Sequence, residues 1–297
     1  MRTVLAGSLF LLAACGAVSS GPQGAQPIFP DGEEIGTFNR MYTFTENAEA
    51  TIRVWTQEQG DATNLYEMRK KTDGTWSAVR QIDEFPNQGM LTEPSFSPAD
   101  GYLYYASNAV LPQRGRGQDP NIWRVMPTSR GWGAPQPLSY AINTGAAELG
   151  PVMDAQGRLY FTSNHQRGDG GHDIYEARFD DGAGDWIVTS MPKGFNSPRA
   201  DAQLGVTPDG NRMFFYTYRQ PKLGFVDIWT ATRGENGKWQ QPVNLGPSVN
   251  TTGPDLGPSV SLDGKTLYFS RDGRLMSIPL SEALQSEGWT GEPAGDN

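Results

Sequence analysis

Five tryptophans recur along the chain at nearly even intervals. Trp76, Trp132, Trp186, Trp239 and Trp289 are separated by 56, 54, 53 and 50 residues. A period of that length marks a supersecondary unit stacked against copies of itself. Roughly a dozen residues ahead of the first four lies a second marker, read as Asn64-Leu65-Tyr66, Asn121-Ile122-Trp123, Asp173-Ile174-Tyr175 and Asp227-Ile228-Trp229. Arg274-Leu275-Met276 is a degenerate fifth copy. A third marker is a turn followed by an aromatic-rich run. Its copies are Asp100-Gly101 before Tyr102–Tyr105, Gln156-Gly157 before Leu159–Phe161, Asp209-Gly210 before Met213–Phe215, and Asp263-Gly264 before Leu267–Phe269.

Asp-Gly between two alternating segments is a strong hairpin signal, because glycine takes the left-handed backbone that a tight turn requires. Each unit therefore reads as four short antiparallel strands. In the second unit these are Pro94–Ser97, Tyr102–Ser107, Asn121–Met126 and Trp132–Leu138. One such sheet leaves both faces uncovered, so the units must stack into a ring. The expected fold is all-β, a β-propeller of five four-stranded blades, with six left open because the first and last copies are degenerate. Ile52–Trp55 is the expected second strand of the first unit, and Gly36–Thr45 the segment expected to pair with the last blade and close the ring. The 36 glycines and 22 prolines suit so turn-dense a chain.

Taken together, Ser97-Pro98-x-Asp100-Gly101, an aromatic strand, Ser107-Asn108, a Gly-rich loop, an Asp-Ile-Tyr/Trp triplet and a Gly-x-Trp turn resemble the WD-like repeats of TolB-type propellers. The segments Glu93–Leu138, Leu149–Asp185 and Leu256–Ser270 carry the likeness best, with Trp239–Gly246 and Val249-Asn250-Thr251 beside them. The resemblance implies a fold and leaves function open, because propellers host lyases, peptidase gates and binding modules alike.

The N-terminus reads as an address. Arg2 precedes an apolar run from Thr3 to Ala14, too short to span a bilayer, and Leu12-Ala13-Ala14-Cys15 resembles the bacterial lipobox. That resemblance implies cleavage before Cys15, acylation of its thiol and amine, and a stable anchor made by several acyl chains. Gly16 after the cysteine matches the pattern sorted to the outer membrane. The expected organisation is a lipoprotein signal peptide at 1–14, a flexible tether rich in Gly, Ser, Gln and Pro at 15–30, the propeller at 31–290 and a disordered tail at 291–297. The expected location is the bacterial cell envelope, lipid-anchored at the outer membrane and facing the periplasm.

Charge and cysteine usage narrow the chemistry. A net charge of −9 argues against nucleic acid, which needs clustered Lys and Arg. Cys15 is the only cysteine, so no disulfide and no cysteine-based metal cluster forms within the chain. There is no Gly-x-Ser-x-Gly elbow and no phosphate loop. No motif calls for a cofactor, and an ion held by such a chain would be a hard cation on oxygens, Ca²⁺ above all.

Candidate site residues fall at the ends of strands. Glu148, Asp201 and Asp255 each lie three positions before the same point of the innermost strand, and Glu93 sits two positions later in its unit. Three readings apply to this ring of carboxylates: capping of loop amides, cation binding, or acid–base work on a sugar. The long loops Asn108–Pro120, Asn164–His172 and Tyr218–Val226 carry Arg114, Arg116, His165, Arg167, His172, Arg219 and Lys222. Basic loops on one rim suit an acidic peptide or a polysaccharide. The leading expectation is a monomeric binding module for an envelope protein or glycan. The alternative is a glycoside hydrolase or polysaccharide lyase using the channel-mouth carboxylates.

Overall fold

The computed structural model describes residues 24–29, 40–112, 119–165 and 171–291. Five four-stranded antiparallel sheets stand around a common axis as a five-bladed propeller. The innermost strands are Met41–Glu46, Leu91–Phe96, Glu148–Met153, Asp201–Val206 and Asp255–Val260, and each contacts the next, the fifth returning to the first. The second strand of each blade is the aromatic run that follows the turn, for instance Arg212–Thr217 after Gly210, whose φ of 68° is the left-handed backbone the Asp-Gly signal predicts.

The core lies between blades. Tyr105 stacks on Phe85, their ring centroids 4.8 Å apart. Phe195, Phe215 and Trp239 form a continuous aromatic group between blades three and four. Trp132 and Trp239 thus pack one blade on another, Trp132 against Glu67 and Arg69 of blade one and Trp239 against Tyr160 of blade three.

Three strand assignments differ from the sequence reading. The outer strand of blade two is Gln136–Pro137, while Gly131–Trp132 pairs with Pro127–Thr128 in a separate small hairpin. Trp76 and Trp239 likewise make isolated bridges to Lys70 and Arg233 before their outer strands begin. At Trp132 and Trp239 the preceding turn tucks the aromatic ring into the blade interface ahead of the ladder.

The third difference concerns ring closure. The closing strand is Gln26–Pro27, which pairs with Met276 and Ser277 as the fourth strand of blade five. The segment expected in that place supplies Met41–Thr45 to the inner strand of blade one instead. Ile28 and Phe29 follow the closing strand, and Phe29 packs on Trp55 and Phe44 of blade one, with centroids 5.1 and 6.3 Å apart. Part of the stretch read as a tether thus joins the last blade to the first. The C-terminal end adds a short helical turn, Leu280–Ala283, against the same blade.

Candidate functional site

The inner strands share an irregularity. In every blade the ladder between the first and second strands slips at one place, and the residue there has positive φ: Thr43 at 39°, Glu93 at 55°, Gly150 at 59°, Gln203 at 49° and Gly257 at 63°. A bulge turns its residue out of the strand and bends the chain. Five bulges at one height make a waist in the channel. Above it, towards the loops that join second to third strands, lies the candidate site.

That site is a cavity of about 670 Å³ at the channel mouth. Arg40 and Tyr42 of blade one, Tyr216, Tyr218 and Phe225 of blade four, and Leu256 and Asp272 of blade five form its walls, and Gln203 lies at the waist. The aromatic wall is graded. Tyr216 meets Tyr218 edge-on at 6.1 Å, and Tyr218 meets Phe225 edge-on at 5.5 Å. Phe225 is 66% exposed, an unusual position for a phenyl ring in a folded chain. Tyr42 donates a hydrogen bond to Glu58, and burial, then this carboxylate, pushes its hydroxyl up to about 12.

Three of the carboxylates singled out from the sequence share an address at the head of the inner strands. Glu148, Asp201 and Asp255 each begin an inner strand and are fully buried. Each accepts the backbone N–H of the residue four positions earlier: Thr144 at 3.1 Å, Ser197 at 2.6 Å and Thr251 at 2.6 Å. Glu148 also accepts from the hydroxyls of Thr144 and Ser163. Asp201 pairs with Arg219 at 3.0 Å, and Asp255 with Arg271 at 2.9 Å. Burial still pushes the Asp255 carboxyl above its usual range, against Arg271 and Thr251. Glu93 belongs to the waist, not to this set.

A signal in the sequence marks these junctions. Asn143-Thr144…Glu148, Asn196-Ser197…Asp201 and Asn250-Thr251…Asp255 share one spacing. Each asparagine accepts from the N–H, and donates to the carbonyl, of the isoleucine in the preceding blade's third strand, namely Ile122, Ile174 and Ile228. The acid tightens the loop while the asparagine fastens it to the neighbouring blade.

The loop residues scatter. Arg219 turns inward, donating to the carbonyl of Phe195 and lying 5.6 Å and 5.8 Å from the Phe215 and Trp229 rings. Lys222 donates to the carbonyl of Phe225 at 3.0 Å and sits 5.7 Å from its ring. His165 lines a smaller cavity of about 230 Å³ beside Glu148, Phe161 and Tyr175. His172 is half-buried, and burial holds its imidazole below the usual histidine range, against the pull of Asp173. Cys15, Arg114, Arg116 and Arg167 lie outside the described residues. Among the described residues, no three His, Cys, Asp or Glu side chains gather as a metal group. No described helix is long and apolar enough to cross a membrane.

No family model matches the chain, and no curated protein does. Its fold is similar to solved structures. A protein of unknown function from Dyadobacter fermentans is 14% identical with a TM-score of 0.50, covering 87% of this chain and 98% of that one. An endo-arabinase from Bacteroides thetaiotaomicron is 14% identical with a TM-score of 0.52, covering 82% and 94%. TolB from Acinetobacter baumannii is 17% identical with a TM-score of 0.47, covering 81% of this chain and 54% of TolB, so the chain spans about half the length of that protein.

Proposed function

We propose that the protein is a carbohydrate-binding module, tethered to the cell envelope through Cys15, that takes a glycan segment into the channel-mouth pocket. The observation that carries this reading is the aromatic wall of Tyr216, Tyr218 and Phe225 facing Arg40 and Asp272 across an open cavity. Sugar rings offer C–H faces that lie against aromatic rings, and hydroxyls that pair with a few placed polar groups. The cavity has the size of ordinary small-ligand sites, with room for a short oligosaccharide.

Binding is favoured over hydrolysis by the state of the carboxylates. Glycoside cleavage needs two carboxyl groups free to exchange protons or to attack. Glu148, Asp201 and Asp255 are already committed to loop amides, hydroxyls and guanidinium groups.

The test is calorimetric titration with oligosaccharides cut from peptidoglycan glycan strands and from exported polysaccharides, with the products analysed afterwards. The expected result is saturable binding of an uncleaved saccharide, at least tenfold weaker in a Tyr218→Ala/Phe225→Ala variant. Release of shorter saccharides would establish turnover. Absence of saccharide binding, with an envelope protein crosslinking to the same rim, would replace the glycan by a protein partner.

A further inference from the structure

The waist of the channel holds a second feature, independent of the pocket ligand. Of its five bulge residues, two are glycines and three carry polar side chains. The arrangement follows from crowding. A Cβ on Gly150 would stand 3.5 Å from Glu93 Oε2 and 3.7 Å from Gln203 Cα. One on Gly257 would stand 3.1 Å from Thr43 N and 3.6 Å from Gln203 Oε1. The glycines of blades three and five thus leave room beside Glu93 Oε2, Gln203 Oε1 and the backbone of Thr43.

Each of the three polar side chains at the waist carries an oxygen that is left unpaired. Thr43 Oγ1, Glu93 Oε2 and Gln203 Oε1 are buried, and none has a hydrogen-bond partner among the described residues. Thr43 is 4% exposed and Glu93 is 7% exposed. No ion pair to Glu93 is formed among the described residues, and the Gln203 side chain and Gly150 amide are the groups that favour its charged form. A buried carboxylate with no opposite charge beside it is costly even with those two groups, and so is each orphaned acceptor. Below the waist a void of about 20 Å³ is lined by Thr43, Glu93 and Gly150 among others, and above it Gln203 opens on the mouth pocket. That room suits one small particle.

We propose that this waist is a cation site, in which Thr43 Oγ1, Glu93 Oε2 and Gln203 Oε1 hold a hard, oxygen-seeking ion such as Ca²⁺ on the channel axis. A water molecule would donate to two of the three oxygens but leave the charge of an ionised carboxylate standing. A cation answers both needs, with waters from the pocket completing its shell. It would also tie blades one, two and four together at the one place where the inner strands are bent. The left-handed backbone at Thr43, Glu93 and Gln203 is uncommon for such residues, above all for a β-branched threonine. These strained positions recur at one height of the inner strands, one to a blade.

The experiment uses purified protein stripped with EGTA and returned to low-salt buffer. Thermal unfolding is followed with CaCl₂, MgCl₂ or NaCl added separately, and Ca²⁺ binding is measured by calorimetry. CaCl₂ at a hundredfold excess over Kd is expected to raise Tm by roughly 5 °C, with one ion bound per chain. Glu93→Gln is expected to lose both the shift and the binding, whereas Gln203→Glu, with a second carboxylate, is expected to bind at least tenfold more tightly. An unchanged Tm in all three salts with no Ca²⁺ bound would overturn the proposal in favour of water. An equal Ca²⁺ shift in folded Glu93→Gln would overturn it in favour of a site elsewhere. Should Glu93→Gln fail to fold, Gln203→Glu decides, and no tightening there overturns the proposal.

Discussion

Arg219 Nη2 lies 3.0 Å from Asp201 Oδ1, joining the loop between the second and third strands of blade four to the first residue of that blade's inner strand. Asp201 is fully buried and the Arg219 side chain 13% exposed, so the pair is screened little by solvent. Removing one partner strands the other. Arg219→Ala is expected to cost about 3 kcal/mol, and Asp201→Asn less, because the amide still accepts from Ser197. Urea unfolding of both single variants and the double variant measures the coupling. If Arg219 served only as a free basic group for ligand, its loss would leave stability unchanged.

The asparagine clamps give an ordering. Asn143 and Asn250 are at most 1% exposed and bond both backbone groups of their isoleucine, while Asn196 makes the same two bonds in a partly buried setting. Alanine at 143 or 250 leaves the buried isoleucine N–H unpaired and takes one of two donors from its carbonyl, which keeps the N–H of Leu138 or Leu245, at a cost of about 2 kcal/mol. Asn196→Ala is expected to cost about half as much, since water can reach the freed groups. Melting temperatures of the three variants, measured together, test the ranking.

These two sets of contacts show what was legible beforehand. Hairpin turns are local, so Asp209-Gly210 announced its backbone without help from the rest of the chain. Blade order followed, and with it the shared address of Glu148, Asp201 and Asp255 at the head of the inner strands. The closing strand was not legible, because Gln26–Pro27 is two residues long and has no alternation to read. Trp132 misled for a different reason: it marks the blade interface and not the ladder beside it. The pocket joins Tyr42 to Tyr218 and Phe225 only because the ring brings blades one and four around one axis. The waist left a faint trace in Glu93-Pro94, Gly150-Pro151 and Gly257-Pro258, but blades one and four lack the proline, and only the register reveals all five bulges.

Glu93 sets a pH dependence whose sign is definite. Burial pushes its carboxyl from 4.5 up to about 7, against Gln203 and Gly150. Tyr216 lies near enough that, after its own burial, Glu93 raises its hydroxyl further. With the folded value above the unfolded one, the folded chain holds an extra proton between about pH 4.5 and 7. Stability from this group is therefore full at the acid end of that window and falls as pH rises through it. By pH 8 in chelator the loss is on the order of 3 kcal/mol. Glu93→Gln carries no such term, so its advantage over the parent chain is expected to grow from pH 5 to pH 8. Parallel melting curves at the two pH values check this, and an advantage independent of pH would show that Glu93 is not the titrating group.

Ring closure gives a prediction about the start of the domain. Gln26–Pro27 covers the outer edge of blade five, and Phe29 packs between that strand and Trp55. A chain beginning at residue 40 would leave Met276 and Ser277 without partners on their outer side, and an exposed strand edge invites pairing with other chains. It would also uncover the rings of Phe44 and Trp55 that Phe29 contacts. Compared with a chain beginning at residue 24, the shorter one is expected to melt at least 5 °C lower and to aggregate on heating. Phe29→Ala separates the two effects, since it keeps the strand and removes the ring; it is expected to cost about 2 kcal/mol without aggregation. Light scattering recorded during the melt distinguishes an edge that is merely uncovered from a ring that has opened. If both chains melt alike, the ring is held by the contacts of blades one and five alone.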